Sequence, residues 1–280
     1  MRELRIGEKS INAFLHCLKE EEKSAATIEK YLRDVRNFCV FSGEAAIEKN
    51  IVLAYKAELG RRYAPASANS MLAAVNAFFR FAGRRELCVK QFSVQRKTYC
   101  SEEKEISKGE YLALVRMAEK RKNERLALLL QTLCVTGIRV GELKYITVAA
   151  VRRGEATVTG KGKTRTVFLP SALRKKLLRY LQKRRVTAEW VFATQSGAPM
   201  NRSNIWREMK ALCAAAGVSP KKVFPHNLRH LFARTFYALE KDIAKLADIL
   251  GHSNIATTQI YLISTGAEHR RKIERMRLIS

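Results

Sequence analysis

The run Phe224-Pro225-His226-Asn227-Leu228-Arg229-His230 begins a stretch that continues through Leu250-Gly251-His252-Ser253-Asn254 to Tyr261. Two imidazoles, a guanidinium and a phenol recur there at spacings that a helical framework turns into one site. His226 and Arg229 are three residues apart, so a helix puts them on one face. Ile243, Leu246, Ala247 and Leu250 form the apolar stripe of a following helix, which Gly251 is suited to end. His252 then stands at a helix end, where a side chain can be aimed. Ser253 or Asn254 caps a further helix that carries Tyr261 on its third turn. The chemistry open to such a group is nucleophilic attack by the phenol on an anion held by cationic donors.

Two earlier stretches add cations. Thr136-Gly137-Ile138-Arg139-Val140-Gly141-Glu142-Leu143 follows a run apolar enough to be a buried helix, Leu126 to Leu133. Gly137 permits a tight turn, and Arg139 comes directly off a buried element. It is either an anion ligand or a structural arginine paired with Glu142. Residues 156–170 alternate around Gly160-Lys161-Gly162, the pattern of a β-hairpin. Lys161 at its tip can reach a groove and supply a proton, with Lys163 and Arg165 on phosphates. The competing reading is a polar turn with no chemistry.

Helices over 8–22, from Ser24 to Gly43, over 45–59 and over 66–82 form a small all-helical domain. From Gln95 to Glu105 the sequence turns polar, and a boundary falls there. We therefore expect a helical domain over 1–95, a linker over 96–105 and a second domain over 106–280. Ser107 caps a helix over 108–121, Ser171 begins a basic helix, Trp190 to Ala193 read as a short buried strand, and Asn201 to Ala216 as another helix. The fold class expected is mainly α with a small β-hairpin in the second domain.

Lys and Arg number 53 against 26 acids in 280 residues, a net charge of +27, and 47% of residues are hydrophobic. The chain can bury proper cores, and the charge points to a polyanionic partner, nucleic acid first. Residues 1–100 hold 18 basic and 11 acidic residues, and the remainder holds 35 and 15. The second domain should grip phosphate more tightly. The six cysteines form no C-x-x-C pair and read as reduced thiols. No clustered Asp and Glu suggest a metal-dependent nuclease. No amino-terminal signal region and no run of about 18 to 20 apolar residues are visible, so a cytoplasmic, nucleoid-associated protein is expected.

The order T-G-x-R-x-x-E-L, G-K-G-x-x-R, H-x-L-R-H and L-G-H-S-x-x-x-T-T-x-x-Y resembles the tyrosine recombinases of the lambda-type integrase and Xer type. Four motifs in order are far more specific than any one. The resemblance implies a two-domain clamp: a helical SAM-like core-binding domain and a catalytic domain. It carries the catalytic set onto Arg139, Lys161, His226, Arg229, His252 and Tyr261. Tyr261 would attack phosphorus to give a 3′-phosphotyrosine and a free 5′-hydroxyl, a link that needs no ATP. Arg139 and Arg229 would neutralise the phosphoryl charge with planar forks. His226 would take the phenol proton, Lys161 would protonate the leaving oxygen, and His252 would hydrogen-bond the same phosphate. Neither metal nor other cofactor is called for. Partners implied are double-stranded DNA with an inverted-repeat core site and three further copies of the chain, joined through the basic tail after Tyr261, with room for accessory proteins.

His230 is read as pointing away from the His226 and Arg229 face, and Tyr180 and Tyr237 as packing residues. Integration, excision or resolution of a mobile element is the expected reaction. Two other functions stand beside it: a type IB-like topoisomerase that relaxes supercoils without exchange, and a DNA-binding regulator that has lost strand cleavage.

Overall fold

A computed structural model of the chain describes residues 6–43, 46–94, 102–160, 163–184, 189–262, 270 and 274–276. Two compact units divide it, Met1–Arg96 and Lys97–Ser280. In the first, helices α1 (Glu8–Glu20), α2 (Ala25–Ser42), α3 (Lys49–Arg62) and α4 (Pro65–Phe81) enclose one core. Ser24 starts α2 because its hydroxyl accepts from the Thr27 amide, and Pro65 opens α4, where a missing N–H costs nothing. Phe14, Phe38, Phe78 and Phe79 fill the centre, and the Phe14–Phe78 and Phe38–Phe79 pairs meet edge to face. Asp34 is buried in that unit and is satisfied by Lys30 at 2.7 Å and Arg33 at 3.0 Å.

The second unit is built around α6 (Glu124–Thr136), buried on nearly every side. Before it comes α5 (Lys108–Lys120), whose Ser107 cap and Glu110 bond each other's backbone amides. After α6 the chain makes a 3₁₀ segment, Val140–Tyr145, then α7 (Val148–Arg153) and the antiparallel hairpin of β1 (Glu155–Gly160) and β2 (Lys163–Phe168). Ala156 faces Val167 and Val158 faces Arg165 across the hairpin. Ala156, Val158 and Val167 are buried while their neighbours are not, which is the period-2 pattern of a half-buried ribbon. Helix α8 (Ser171–Arg184) packs on α6 and α7, and α9 (Arg202–Ala216) packs on α5. The chain then enters α10 (Pro225–Glu240), α11 (Ile243–Leu250), α12 (Ile255–Gln259) and a 3₁₀ turn, Ile260–Leu262.

Three expectations change here. Residues 190–193 form no strand: Trp190 bridges Thr147 and Ala193 bridges Pro199, each singly. Thr147 is the N-cap of α7, so the backbone it offers turns helical after one pairing. Helix α7 has no counterpart among the expected elements, because six residues are too few to show a period. Helix α3 starts at Lys49 rather than 45.

Gly137 ends α6 with φ +62°, and a Cβ there would collide with the ring of Phe232. The left-handed backbone costs a non-glycine residue about 1–2 kcal/mol and overpacking about 1–3 kcal/mol more. Gly137→Ala should therefore lower unfolding free energy by at least about 2 kcal/mol. Urea titration reads this directly, and an unchanged midpoint would contradict the packing described.

Candidate functional site

Four helix ends meet in the second unit. At the end of α6, beyond Gly137, Arg139 adopts extended backbone, and its amide donates to Glu142 Oε2 at 2.9 Å. The Arg139 guanidinium bonds Glu142 Oε1 at 3.0 Å. Arg165, from β2, donates to both carboxylate oxygens of Glu142, at 3.0 and 2.7 Å. Glu142 therefore holds two arginines whose positions differ by 26 residues in sequence. Burial pushes its carboxyl up, but the bonds and charge of Arg165 and Arg139 outweigh that and hold it at about 2. The Arg139 side chain remains 42% exposed, so its outer donors face solvent. Gly251, with φ +65°, lets Arg165 lie flat: a Cβ would stand 2.7 Å from the Arg165 Cδ.

Arg229 is 1% exposed, the largest wholly buried side chain described. Its Nη1 donates to the Gly137 carbonyl at 2.6 Å and its Nη2 to the Leu250 carbonyl at 2.7 Å. Nη2 also lies 2.9 Å from His252 Nε2. Arginine only donates, so that imidazole nitrogen must be the bare acceptor. The other nitrogen, Nδ1, lies 2.9 Å from the hydroxyl of buried Thr258 and carries the proton. Burial and the charges of Arg229, Arg139 and Arg165 push the His252 imidazole down to about 4, which keeps it neutral. Burial and the charge of Arg139 together lower Arg229 to about 10, with the nearby Tyr261 hydroxyl opposing them.

Tyr261 is 6% exposed and sits on the 3₁₀ turn, not on the third turn of a helix. Helix α12, capped by the Asn254 side chain, ends after five residues. The phenol ring stacks on His252 at 5.5 Å between centroids, with His226 at 5.4 Å and His230 at 4.3 Å. His230 thus faces the phenol, contrary to its expected outward orientation. It lies one helical turn after His226, and the two rings are 4.8 Å apart. The relevant spacing was i,i+4 to His226, not i,i+1 to Arg229. His226 is exposed, and partial burial of its ring together with Arg229, Arg139 and Arg202 lowers its pKa.

Of the residues singled out in the sequence, the structure brings Arg139, His226, Arg229, His252 and Tyr261 together. Lys161 lies outside the described residues, and so does the side chain of Lys163, whose backbone begins β2. Arg165 turns inward to Glu142. Tyr180 is buried, and Tyr237 packs against the cluster of Ala233, Leu246, Leu250 and Tyr261, as expected of packing residues. A cavity of about 890 Å³ opens on one side of Arg139, lined by Arg202, Trp206, His226 and Arg229. Another of about 560 Å³ opens on its other side, lined by Arg165, His252 and Thr257. Arg202 and Trp206 of α9 were not expected at the site, since nothing in their local sequence marks them. Thr258 stood in the T-T-x-x-Y motif without a role. Among the described residues no cluster of three His, Cys, Asp or Glu side chains could hold a metal ion.

Residues 104–268 match the sequence model of the phage integrase family, and residues 11–86 match its N-terminal SAM-like domain. The tyrosine recombinase XerA of Pyrococcus furiosus is 29% identical over all of this chain and 98% of its own length. XerA of Thermococcus kodakarensis is 33% identical over 94% of this chain and 93% of its own length. The crystal structure of a XerA recombinase covers 97% of this chain and 99% of its own, with 27% identity and a TM-score of 0.53. That of a lambda integrase tetramer bound to a Holliday junction covers 93% of this chain and 78% of its own. Its identity is 18% and its TM-score 0.73, a likeness of fold.

The His252 assignment is measurable. At pH 7, ¹⁵N shifts should show a neutral ring with its proton on Nδ1, whereas an imidazolium or an Nε2-protonated ring would contradict the Arg229 contact. Because about 4 lies below the ordinary 6.5, the stabilisation this ring contributes is complete above pH 6.5. It is lost as pH falls from there towards 4.

Proposed function

Because the chain belongs to the phage integrase family, the tyrosine recombinases, and cleaves and rejoins DNA strands at specific sites, we propose that Tyr261 is its nucleophile. Arg139, Lys161, His226, Arg229 and His252 then surround the scissile phosphate. The observation that carries this is the packing of Tyr261 against His226 and His252, with the Arg229 guanidinium alongside. In this arrangement each protomer would supply its own tyrosine to its own arginines.

In the proposed step a bond forms between the Tyr261 hydroxyl oxygen and phosphorus, and the bond from phosphorus to the 5′ oxygen breaks. Charge that builds on the phosphoryl oxygens meets Arg229, fixed by two carbonyls before substrate arrives, and Arg139, whose outer face is open. A preset guanidinium needs no reorganisation as the charge develops. His226, its pKa lowered, is neutral at pH 7 and exposed, which suits it to take the phenol proton. Lys161 would return a proton to the leaving oxygen. His252 Nε2 accepts from Arg229, so a direct bond from that nitrogen to phosphate requires that contact to open. Until then His252 acts by holding Arg229. Arg165 supports Arg139 through their shared Glu142, and we assign its effect on phosphate binding to that route. Lys163 remains a proposed phosphate contact.

The first unit, with the 1–95 segment, would bind the DNA core site, residues 96–105 would link it to the second, and 106–280 would carry catalysis, the two domains clamping the duplex. A net charge of +27 fits a duplex partner. Solved structures show a lambda integrase dimer on a core site and a tetramer on a Holliday junction. By analogy this chain would act as four copies on paired inverted-repeat sites, joined through the segment after Tyr261, most of which lies outside the described residues, with accessory proteins where the site demands them. Its reaction would integrate, excise or resolve a mobile element. Its place is with the DNA, in the cytoplasm, and no described helix is long and apolar enough to cross a membrane. The similar proteins are recombinases and integrases, which does not favour a topoisomerase or an inactive regulator.

A duplex pool with randomised arms and a nick beside the central cleavage position traps the adduct, because the freed strand diffuses away. Denaturation and sequencing of the attached DNA should recover one inverted repeat, bound through Tyr261 by mass spectrometry, and Tyr261→Phe should yield none. An adduct that persists in Tyr261→Phe would overturn the assignment.

A further inference from the structure

The residues that lead from the first unit into the second are fastened to the helix that carries the site. The Asn227 side chain of α10 donates to the Lys104 carbonyl at 2.6 Å and to the Lys222 carbonyl at 2.7 Å. Two turns further along the same face, Arg234 meets Glu105 Oε2 at 3.2 Å. Between them, His230 Nδ1 stands 3.6 Å from Glu105 Oε1. Positions 227, 230 and 234 recur at i, i+3 and i+7, so residues 104 and 105 lie along one stripe of α10. Ile106, 1% exposed, anchors the segment just beyond.

Glu105 is 12% exposed and His230 13%. A carboxylate held that far from water needs a donor: among the described residues Arg234 bonds it and the His230 ring stands beside it, both from α10. The His230 ring has Glu105 on its Nδ1 side and the Tyr261 ring 4.3 Å away, a closer approach than either other imidazole makes to that phenol. Burial, His226, Arg234 and Arg229 lower the His230 pKa to about 4, so the ring is neutral and faces the carboxylate as a dipole that can turn. Without the carboxylate, nothing described on that side fixes the ring's rotation.

We propose that Glu105 is a positioning residue for strand cleavage, which holds the His230 ring and through it the phenol of Tyr261. This rests on Tyr261 being the nucleophile. The junction segment would then be a mechanical part of the active site: a shift of residues 104 and 105 along α10 moves the ring against which the phenol is packed. A misplacement of about 1 Å in a reacting group can cost about 100-fold in rate.

The test is single-turnover cleavage of the nicked duplex at saturating full-length protein, with duplex affinity and Tm measured alongside. Glu105→Gln should slow covalent adduct formation about 10- to 100-fold, with duplex affinity unchanged and the adduct still on Tyr261. Glu105→Asp, which keeps the charge, should recover most of the rate. His230→Asn should slow cleavage similarly, and the double variant should be no slower than the slower single one, since both act through one contact. Wild-type rates in Glu105→Gln would overturn the proposal. So would multiplicative losses in the double variant, or equal losses in the Gln and Asp variants accompanied by an equal fall in Tm, which would mark a purely structural carboxylate. Tyr261→Phe, run in parallel, separates the two readings: an adduct surviving there removes the nucleophile assignment, whereas its loss with an unaffected Glu105→Gln removes only the role of Glu105.

Discussion

The buried guanidinium of Arg229 is the constraint on which the site depends. A charge removed from water costs several kcal/mol unless something replaces its hydration, and among the described residues no carboxylate pairs with it. Its compensation comes from main-chain carbonyls at two helix ends, Gly137 after α6 and Leu250 at the close of α11. Helix C-termini carry partial negative charge, so two of them converging on one cation make a suitable socket. Carbonyl dipoles offset a full charge incompletely, and burial holds the Arg229 pKa below its ordinary value. An arriving phosphate would supply the missing negative charge.

From that socket the remaining geometry follows. The carbonyls are in place because Gly137 and Gly251 end their helices in left-handed conformations. The turn at Gly251 brings His252 onto Arg229, and Thr258 fixes its tautomer from the far side. The same turn lets Arg165 lie beneath it on the way to Glu142, which steadies Arg139. Tyr261 closes the arrangement against three imidazoles. Cations are thus sorted into two kinds: Arg229 locked and dry, Arg139 braced on one side and open on the other.

Much of this was legible in the chain. Glycines at 137 and 251, a cap at Ser107 and a cap at Ser253 or Asn254 marked helix ends, because they act over three or four residues, and the structure uses Asn254 of that pair. The alternation around Gly160 gave the hairpin. Arg139, His226, Arg229, His252 and Tyr261 were legible through their motifs, and the structure draws those five together. What the sequence hid was non-local. Glu142 takes its second arginine from β2, 23 positions away, and no spacing rule reveals an inward turn of Arg165. The facing of His230 towards Tyr261 depends on where the 3₁₀ turn after α12 places the phenol, and five residues of helix leave no periodic trace. Arg202 and Trp206 reach the site only because α9 packs nearby.

The most direct measurement of the account is the single-turnover cleavage rate of Arg229→Lys, taken with its folding stability. Lysine keeps the charge but cannot bond both carbonyls and His252 with a planar fork. If the buried fork organises the site, cleavage should fall by about 100-fold or more, and the unfolding midpoint should drop as the α6 and α11 ends lose their common donor. Wild-type cleavage and an unchanged midpoint in Arg229→Lys would contradict it, leaving charge alone, and not the socket, as the requirement.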